Sequence, residues 1–377
     1  MIKRIRIIAI AAITILTLAG CESGKFVVSR EKPEKETVKE TEEETVTPEP
    51  TPEPETTPEP TPEPTPEPEP EEPEEVPMTA EDAKMIYDDF MAGKAKIKVT
   101  AAADHSEEVG MIYRDSISDG SECTLNEILD ALRTDVMTRF EVSDDEMTGK
   151  EFKIENFSID CGNDGMPELL VSASLEFPVG RFTEYMIVKA DDDGSRLCYA
   201  DSIGPRSSID INEYGYIAED GSGGASYHSF EKSFVDAEGQ WHFLYGAYSE
   251  DDIVGMGIFY NDKTLSIPKK SAKDFKDVIF FRFWFEDKPE EERECEYSYS
   301  IGGEYDEEGK EEYSFRLLTR DGALYEADNA CMKAFDKIGI PVTSLIKVDE
   351  EIAAKEKAEG MDESIKSGKI VMECLAE

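Results

Sequence analysis

Residues 168–203 read ELLVSASLEFPVGRFTEYMIVKADDDGSRLCYADSI, and their reading decides the fold. The runs 168–176, 183–190 and 196–203 have strand length and strand composition, and Asp191-Asp192-Asp193-Gly194 is a turn between the last two. The same rhythm continues upstream at 152–159 and downstream at 208–217, 226–235 and 241–248, with Glu238-Gly239 as a further turn. Closely spaced strands with no helix between them predict an antiparallel meander. Beyond it, 278–285 is an almost fully apolar strand. The segment 294–301 sets Cys295, Tyr297, Tyr299 and Ile301 against Glu294, Glu296, Ser298 and Ser300, and 311–318 is a candidate hairpin return.

Helices flank this core. Thr79-Ala-Glu-Asp82 has capping-box character, Ala83, Ile86, Tyr87 and Phe90 share one helical face, and Gly93 closes the helix. The strand-like Lys94-Ala-Lys96-Ile-Lys98-Val follows, its three lysines read as protection of a sheet edge. Thr124-Leu-Asn-Glu127 is a full capping box, heading a helix with Leu125, Ile128, Leu129, Leu132, Val136 and Phe140 on one side. A helix over 325–338 stops at Gly339 with Pro341 beyond, and helix resumes near 348–359. The expected class is α+β, an antiparallel β-meander core with flanking N- and C-terminal helices.

Composition divides the 377 residues into three parts. Residues 22–77 hold 14 of the 20 prolines and 19 acidic against five basic residues, with TPEP units from Thr47 to Pro70. Proline removes N–H donors and fixes φ, so this stretch is a solvated polyproline-II-like stalk. Its last 31 residues, 47–77, reach at most on the order of 95 Å at ~3.1 Å per residue. The net charge of −46 excludes a general nucleic-acid binder, and residues 78–377 alone carry −35. That part is read as an extracellular α+β domain, with a division into 78–260 and 261–377 left open.

Residues 1–21 read MIKRIRIIAIAAITILTLAGC, a basic start followed by an apolar run too short to span a bilayer. Leu18-Ala19-Gly20-Cys21 resembles a bacterial lipoprotein lipobox, L-[AS]-[GA]-C. The resemblance implies that 1–20 is a signal peptide, that Cys21 is lipidated, and that the protein sits on the outer face of the cell membrane. Two acyl chains suffice for stable anchoring. The remaining cysteines, Cys123, Cys161, Cys198, Cys295, Cys331 and Cys374, are even in number and permit three disulfides in an exported protein, while no C-x-x-C suggests zinc or thioredoxin chemistry.

The segment Asp160-Cys-Gly-Asn163-Asp164-Gly165-Met166-Pro-Glu168 places three acids around a glycine turn. It resembles the D-x-[DN]-x-D-G-x-x-[DE]-[LI] loops of calcium-loop extracellular bacterial proteins, integrin-type and dockerin-type repeats included. It looks closest to a D-x-x-N-D-G-x-P-E-L segment in lipoproteins of Gram-positive gut bacteria. The resemblance implies calcium held by Asp160, Asp164 and Glu168 with the Met166 carbonyl; Asp191–Asp193 is the nearest source of further oxygens. Gly162 and Val171 stand where such loops carry further ligands, and the competing reading is a solvated turn whose side chains bond local N–H groups.

No catalytic constellation stands out among the three histidines, His105, His228 and His242, and no G-x-S-x-G elbow occurs. With a two- or four-residue loop, His228 and His242 point to opposite faces of a hairpin, and a three-residue loop reverses that. The leading expectation is therefore a binding or interaction module for an unknown surface ligand, with Trp241, Tyr245, Tyr248 and Trp284 as either groove or core. The alternative is an exported carboxylate-dependent hydrolase of cell-wall or glycan substrates.

Overall fold

The computed structural model describes residues 77–106, 116–178, 180–192, 194–203, 206–224, 226–251, 253–255, 257–267, 274–275, 277–301 and 322–375. The signal segment, Cys21, the stalk through Val76 and the hairpin return expected at 311–318 lie outside these residues. The class is the expected one, α+β with a strand-rich antiparallel core and helices towards both ends.

The chain enters through α1 (Ala80–Met91), whose capping box is formed as Thr79 and Asp82 exchange side-chain and backbone bonds. Ala83, Tyr87 and Phe90 are its buried face. Strand β1 (Ile97–Val99) and β2 (Ser121–Cys123) lead to α2 (Leu125–Arg139), capped reciprocally by Thr124 and Glu127, and to the short α3 (Asp144–Met147). The meander follows as β3 (Lys153–Ile159), β4 (Glu168–Phe177), β5 (Gly180–Asp191) and β6 (Gly194–Ile203). The first sheet has the order β2-β1-β6-β5-β4-β3. β1 therefore lies inside the sheet, parallel to β6. The lysine stripe does not guard an edge: Lys94 pairs with Asp89 and Lys96 with Glu127, while Ile97 and Val99 alternate with them into the core.

Both faces of this sheet are covered. α1 and α2 pack Phe90, Ile128, Leu132 and Val136 on Leu169, Val171, Met186 and Val188. The opposite residues, Ile159, Leu170, Tyr185, Ile187 and Tyr199, pack on Ile209, Ile211, Ile217 and Val235 of a second sheet. Two-sided burial explains the unbroken apolar runs in β4 and β5, where a half-solvated strand would alternate.

The second sheet has the order β14-β13-β10-β9-β8-β7-β15. Its strands are β7 (Ser207–Asn212), β8 (Tyr216–Gly224), β9 (Tyr227–Val235), β10 (Trp241–Glu250), β13 (Val278–Trp284), β14 (Glu296–Ile301) and β15 (Ile370–Leu375). The segment expected as one strand over 208–217 is a hairpin instead. Asn212 Oδ1 accepts from the Tyr214 and Tyr216 amides, and Gly215 takes a positive φ of 82°. This is the local side-chain capping that turns favour. A small hairpin, β11 (Ile258–Tyr260) and β12 (Lys263–Leu265), precedes β13. The C-terminal helices are α4 (Ala330–Ile338), stopped by Gly339 at φ 81°, α5 (Leu345–Ala358) and α6 (Glu363–Lys366).

One face of the second sheet carries Ala247, Phe281 and Phe283 under Leu345 and Val348 of α5. The other face meets the first sheet at its β7–β8 end, and at its β13–β14 end lies under α4 and the β11–β12 hairpin through Phe280, Tyr299, Phe335, Ile258 and Leu265. The five described thiols Cys123, Cys161, Cys198, Cys295 and Cys331 are all free, so none of them forms the disulfides that the even count permits. Burial pushes the Cys198 thiol up to about 11; the four buried thiols, Cys123, Cys161, Cys198 and Cys331, serve as small core residues.

Trp284 lies flat over Gly246, where an added Cβ would fall 2.1 Å from the indole. Gly246→Ala is expected to cost about 1–3 kcal/mol by overpacking, read as a lower urea midpoint with unchanged slope. An unchanged midpoint would show that the ring is free to shift.

Candidate functional site

The Asp160 segment is built as a joint between the sheets. Asp160 N–H donates to the Glu213 carbonyl at 2.8 Å and Gly162 N–H to the Tyr214 carbonyl at 3.2 Å, both in the β7–β8 turn. Gly162 has φ 74°, and a Cβ there would sit 2.6 Å from the Ala237 nitrogen. Its glycine is demanded by that close approach and by the left-handed backbone.

The carboxylates of the loop already have donors. Asp160 Oδ1 accepts from the Asp164 and Gly165 amides at 2.9 and 3.0 Å, and Asp164 Oδ1 from the Met166 amide at 2.8 Å. Glu168 turns into the interior, fully buried, and accepts from Lys189 Nζ at 2.6 Å and from the Cys161 amide at 2.7 Å. Burial lifts its carboxyl above the ordinary range against the pull of Lys189. Tyr87 clamps the other side, donating to the Pro167 carbonyl and accepting from Ala190 N–H. Asp191 is spent on Arg196 and Asp192 on the Met78 amide, while Asp193 lies outside the described residues. Among the described residues no group of three or more His, Cys, Asp or Glu side chains is placed to hold a metal ion.

The histidines occupy separate surroundings. His105 stacks on Trp241 at 3.9 Å and on Tyr199 at 5.5 Å, so Trp241 belongs to the packing between the sheets. His228 pairs with Ser249 and His242 with Phe234. The five-residue turn 236–240 places them on the same face of the hairpin, not on opposite ones. His228 lies at the start of β9 and His242, on β10, opposite its far end, about 20 Å apart at ~3.4 Å per residue, so they form no dyad. Tyr245 lies on the helix-covered face and Tyr248 on the other.

Between the two covered ends of that other face, a half-buried strip remains in the middle of the second sheet. Tyr227 and Tyr248 stack at 5.2 Å with an interplanar angle of 29°. Arg282 lies 5.0 Å over Tyr248 and donates to the Tyr227 hydroxyl at 3.1 Å. Arg293 lies 4.3 Å over Trp284 and donates to the Tyr248 hydroxyl at 3.1 Å. Glu250 stands 3.9 Å from Arg282, and Glu231 3.8 Å from Arg293. Gly221 lies against Ser229 and Gly246 under Trp284, so at both positions a neighbouring side chain fills the space that a Cβ would take. Guanidinium over an aromatic face contributes about 0.5–2 kcal/mol per pair, which orients donors and rings together. The readable signal was Arg282 itself, the single charge inside the apolar run VIFFRFWF at 278–285.

A second feature adjoins it. A cavity of about 300 Å³ is lined by Trp284, Phe285, Glu286, Glu294, Cys295 and Glu296. Glu296 neighbours Glu351 of α5; burial first, then Glu351, raise its carboxyl. No sequence pattern links these two acids, which lie 55 positions apart among 86.

Two outcomes follow for the Asp160 joint. Lys189→Met leaves Glu168 buried without its cation and is expected to destabilise by about 3–5 kcal/mol, measured by urea unfolding. A change below 1 kcal/mol would show that Glu168 is stabilised without it. The melting temperature is expected to be the same in excess calcium and in chelator, because an ion bound only to the folded state would raise it; a rise in calcium would return the loop to a metal role. No family model, curated protein or solved structure matches this chain.

Proposed function

We propose that the protein is a lipid-anchored surface lipoprotein whose domain binds a glycan or peptide ligand on the tyrosine–arginine strip of the second sheet. The observation that carries the reading is the composition of the strip between its two caps. Tyr227 and Tyr248, stacked and half-buried, carry the apolar surface, Arg282 supplies donors and Glu231 and Glu250 acceptors, while Arg293 is buried behind them on Trp284. Aromatic side chains beside a small number of fixed polar groups are the usual lining of a ligand site. The lipobox-like Cys21 and the proline-rich stalk support display away from the membrane.

A second reading is favoured by the Glu296–Glu351 pair. Glu296 lines the cavity, and burial and the neighbouring Glu351 raise its carboxyl, the environment in which a carboxylate-dependent hydrolase holds an acid protonated.

A glycan and peptide array probed with the chain from Glu22 onward tests both. The expected result is binding to one ligand class, weakened at least about tenfold, or ~1.4 kcal/mol, by Tyr248→Ala and by Arg282→Ala, and unaffected by Glu296→Gln. No binding, together with hydrolysis of a cell-wall preparation that Glu296→Gln abolishes, would replace the first reading with the second.

A further inference from the structure

We propose that His242 is a pH-operated latch that fastens the end of α5, and α6 behind it, to the β9–β10 turn. The case rests on the number of protons on one ring. Nε2 lies 2.7 Å from Asp236 Oδ2, and Nδ1 lies 2.9 Å from Glu359 Oε2. Ionised carboxylates only accept hydrogen bonds, and a neutral imidazole has a single N–H. Both contacts are favourable only for the imidazolium, which donates on both sides; in the neutral ring one nitrogen lone pair faces a carboxylate oxygen.

The surroundings hold both acids in the accepting state. Asp236 Oδ1 takes the Gln240 amide at 2.7 Å, and Glu359 Oε1 takes Lys355 Nζ at 2.7 Å. Phe234 stacks on the imidazole at 4.7 Å and 15°, fixing its plane so that the nitrogens keep their aim. The other titratable groups near this face are Tyr216 on β8, Lys232 on β9, Tyr245 on β10, Tyr214 and Glu238 in the turns, Glu356 on α5, and Glu363 and Lys366 on α6; Lys366 is taken up by Glu356 at 2.6 Å. Burial works against a charge on His242, but the bonds to Asp236 and Glu359 outweigh it, so the ring titrates above its ordinary value. Glu359 is held below its ordinary value by Lys355 and His242.

The signs define a window. A folded-state pKa raised at His242 gives stabilisation that is complete below the unfolded value of about 6.5 and fades as the pH rises through the folded value. A depressed Glu359 gives stabilisation present above its unfolded value and lost as the pH falls through the folded one. The latch is closed between the two. The start of α5 is held independently, since Leu345 and Val348 are buried under the sheet, whereas its last turns expose most residues. Opening therefore loosens residues 355–367, whose remaining hold is the burial of Met361 and Ile365 against Phe234 and Leu244 and the Asn212 bond to the Ile365 carbonyl, and leaves the rest of the second sheet in place.

The test follows the Cε1–H signals of His105, His228 and His242 by NMR in the full chain, together with hydrogen exchange corrected for the intrinsic pH dependence. The expected result is a His242 midpoint above the ordinary histidine value, with a severalfold loss of protection in 355–367 across that midpoint and none in β4 and β5. In Glu359→Gln the amide donates to Nδ1, so the neutral ring is satisfied on both sides; its midpoint should fall and the protection of 355–367 become flat with pH. A midpoint at or below the ordinary value, or the same protection profile in Glu359→Gln as in the parent, would overturn the proposal.

Discussion

Leu170, Tyr185, Ile187 and Tyr199 on one sheet press against Ile209, Ile211, Ile217 and Val235 on the other, and the remaining architecture depends on that contact. Tyr185 and Tyr199 are wholly buried in it, and burial of a large apolar side chain contributes about 1.5–3 kcal/mol, set against roughly 1–2 kcal/mol of backbone entropy for each residue ordered. Because α1 and α2 occupy the far side of the first sheet, β4 and β5 have no solvent face at all. The second sheet is wider than the first, so its outer strands need covers of their own, supplied by α5 on one face and by α4 with the β11–β12 hairpin on the other. The tyrosine–arginine strip is what lies between those covers.

Charge is distributed by the same logic. A domain carrying −35 keeps most of its acids where water screens them. Glu168, fully buried, is accompanied by Lys189, whereas Glu184, equally buried, takes the Ser106 hydroxyl and is raised by burial and by Asp104 and Asp201 beside it. Arg282 and Arg293 are handled differently: aromatic rings and tyrosine hydroxyls take up their planes and edges, with carboxylates at the longer range of about 4 Å. Guanidinium suits this role because it is planar and weakly hydrated, where an ammonium would draw water in.

Much of the fold was legible because its signals are local. Thr79, Thr124 and Gly339 mark helix ends through bonds made within four residues, and strand runs announce themselves by composition. The 212–216 turn was missed because the cap is an asparagine side chain and the flanking residues keep strand-like hydrophobicity. β15 was missed because a six-residue strand at the chain's end is stabilised by β7, more than 150 positions away, and not by itself. The Asp160 loop drew attention through its glycines, yet Gly162 is explained by Ala237, a contact no spacing rule contains. The strip and the Glu296–Glu351 pair depend wholly on tertiary placement, and in a chain with 86 acids a carboxylate pair has no contrast against its background.

The amide of Met78, where the chain enters the domain, is fastened to Asp192 in the β5–β6 turn, and Arg196 beside that turn reaches the Glu238 carbonyl at the β9–β10 turn. Entry point and β9–β10 turn thus share one pole. Tyr227 and Tyr248 sit towards the other end of the same two strands, eight residues along β9 from Val235, a lever arm of about 26 Å at ~3.3 Å per residue. The strip therefore stands at the end of the second sheet away from the point where the chain enters the domain.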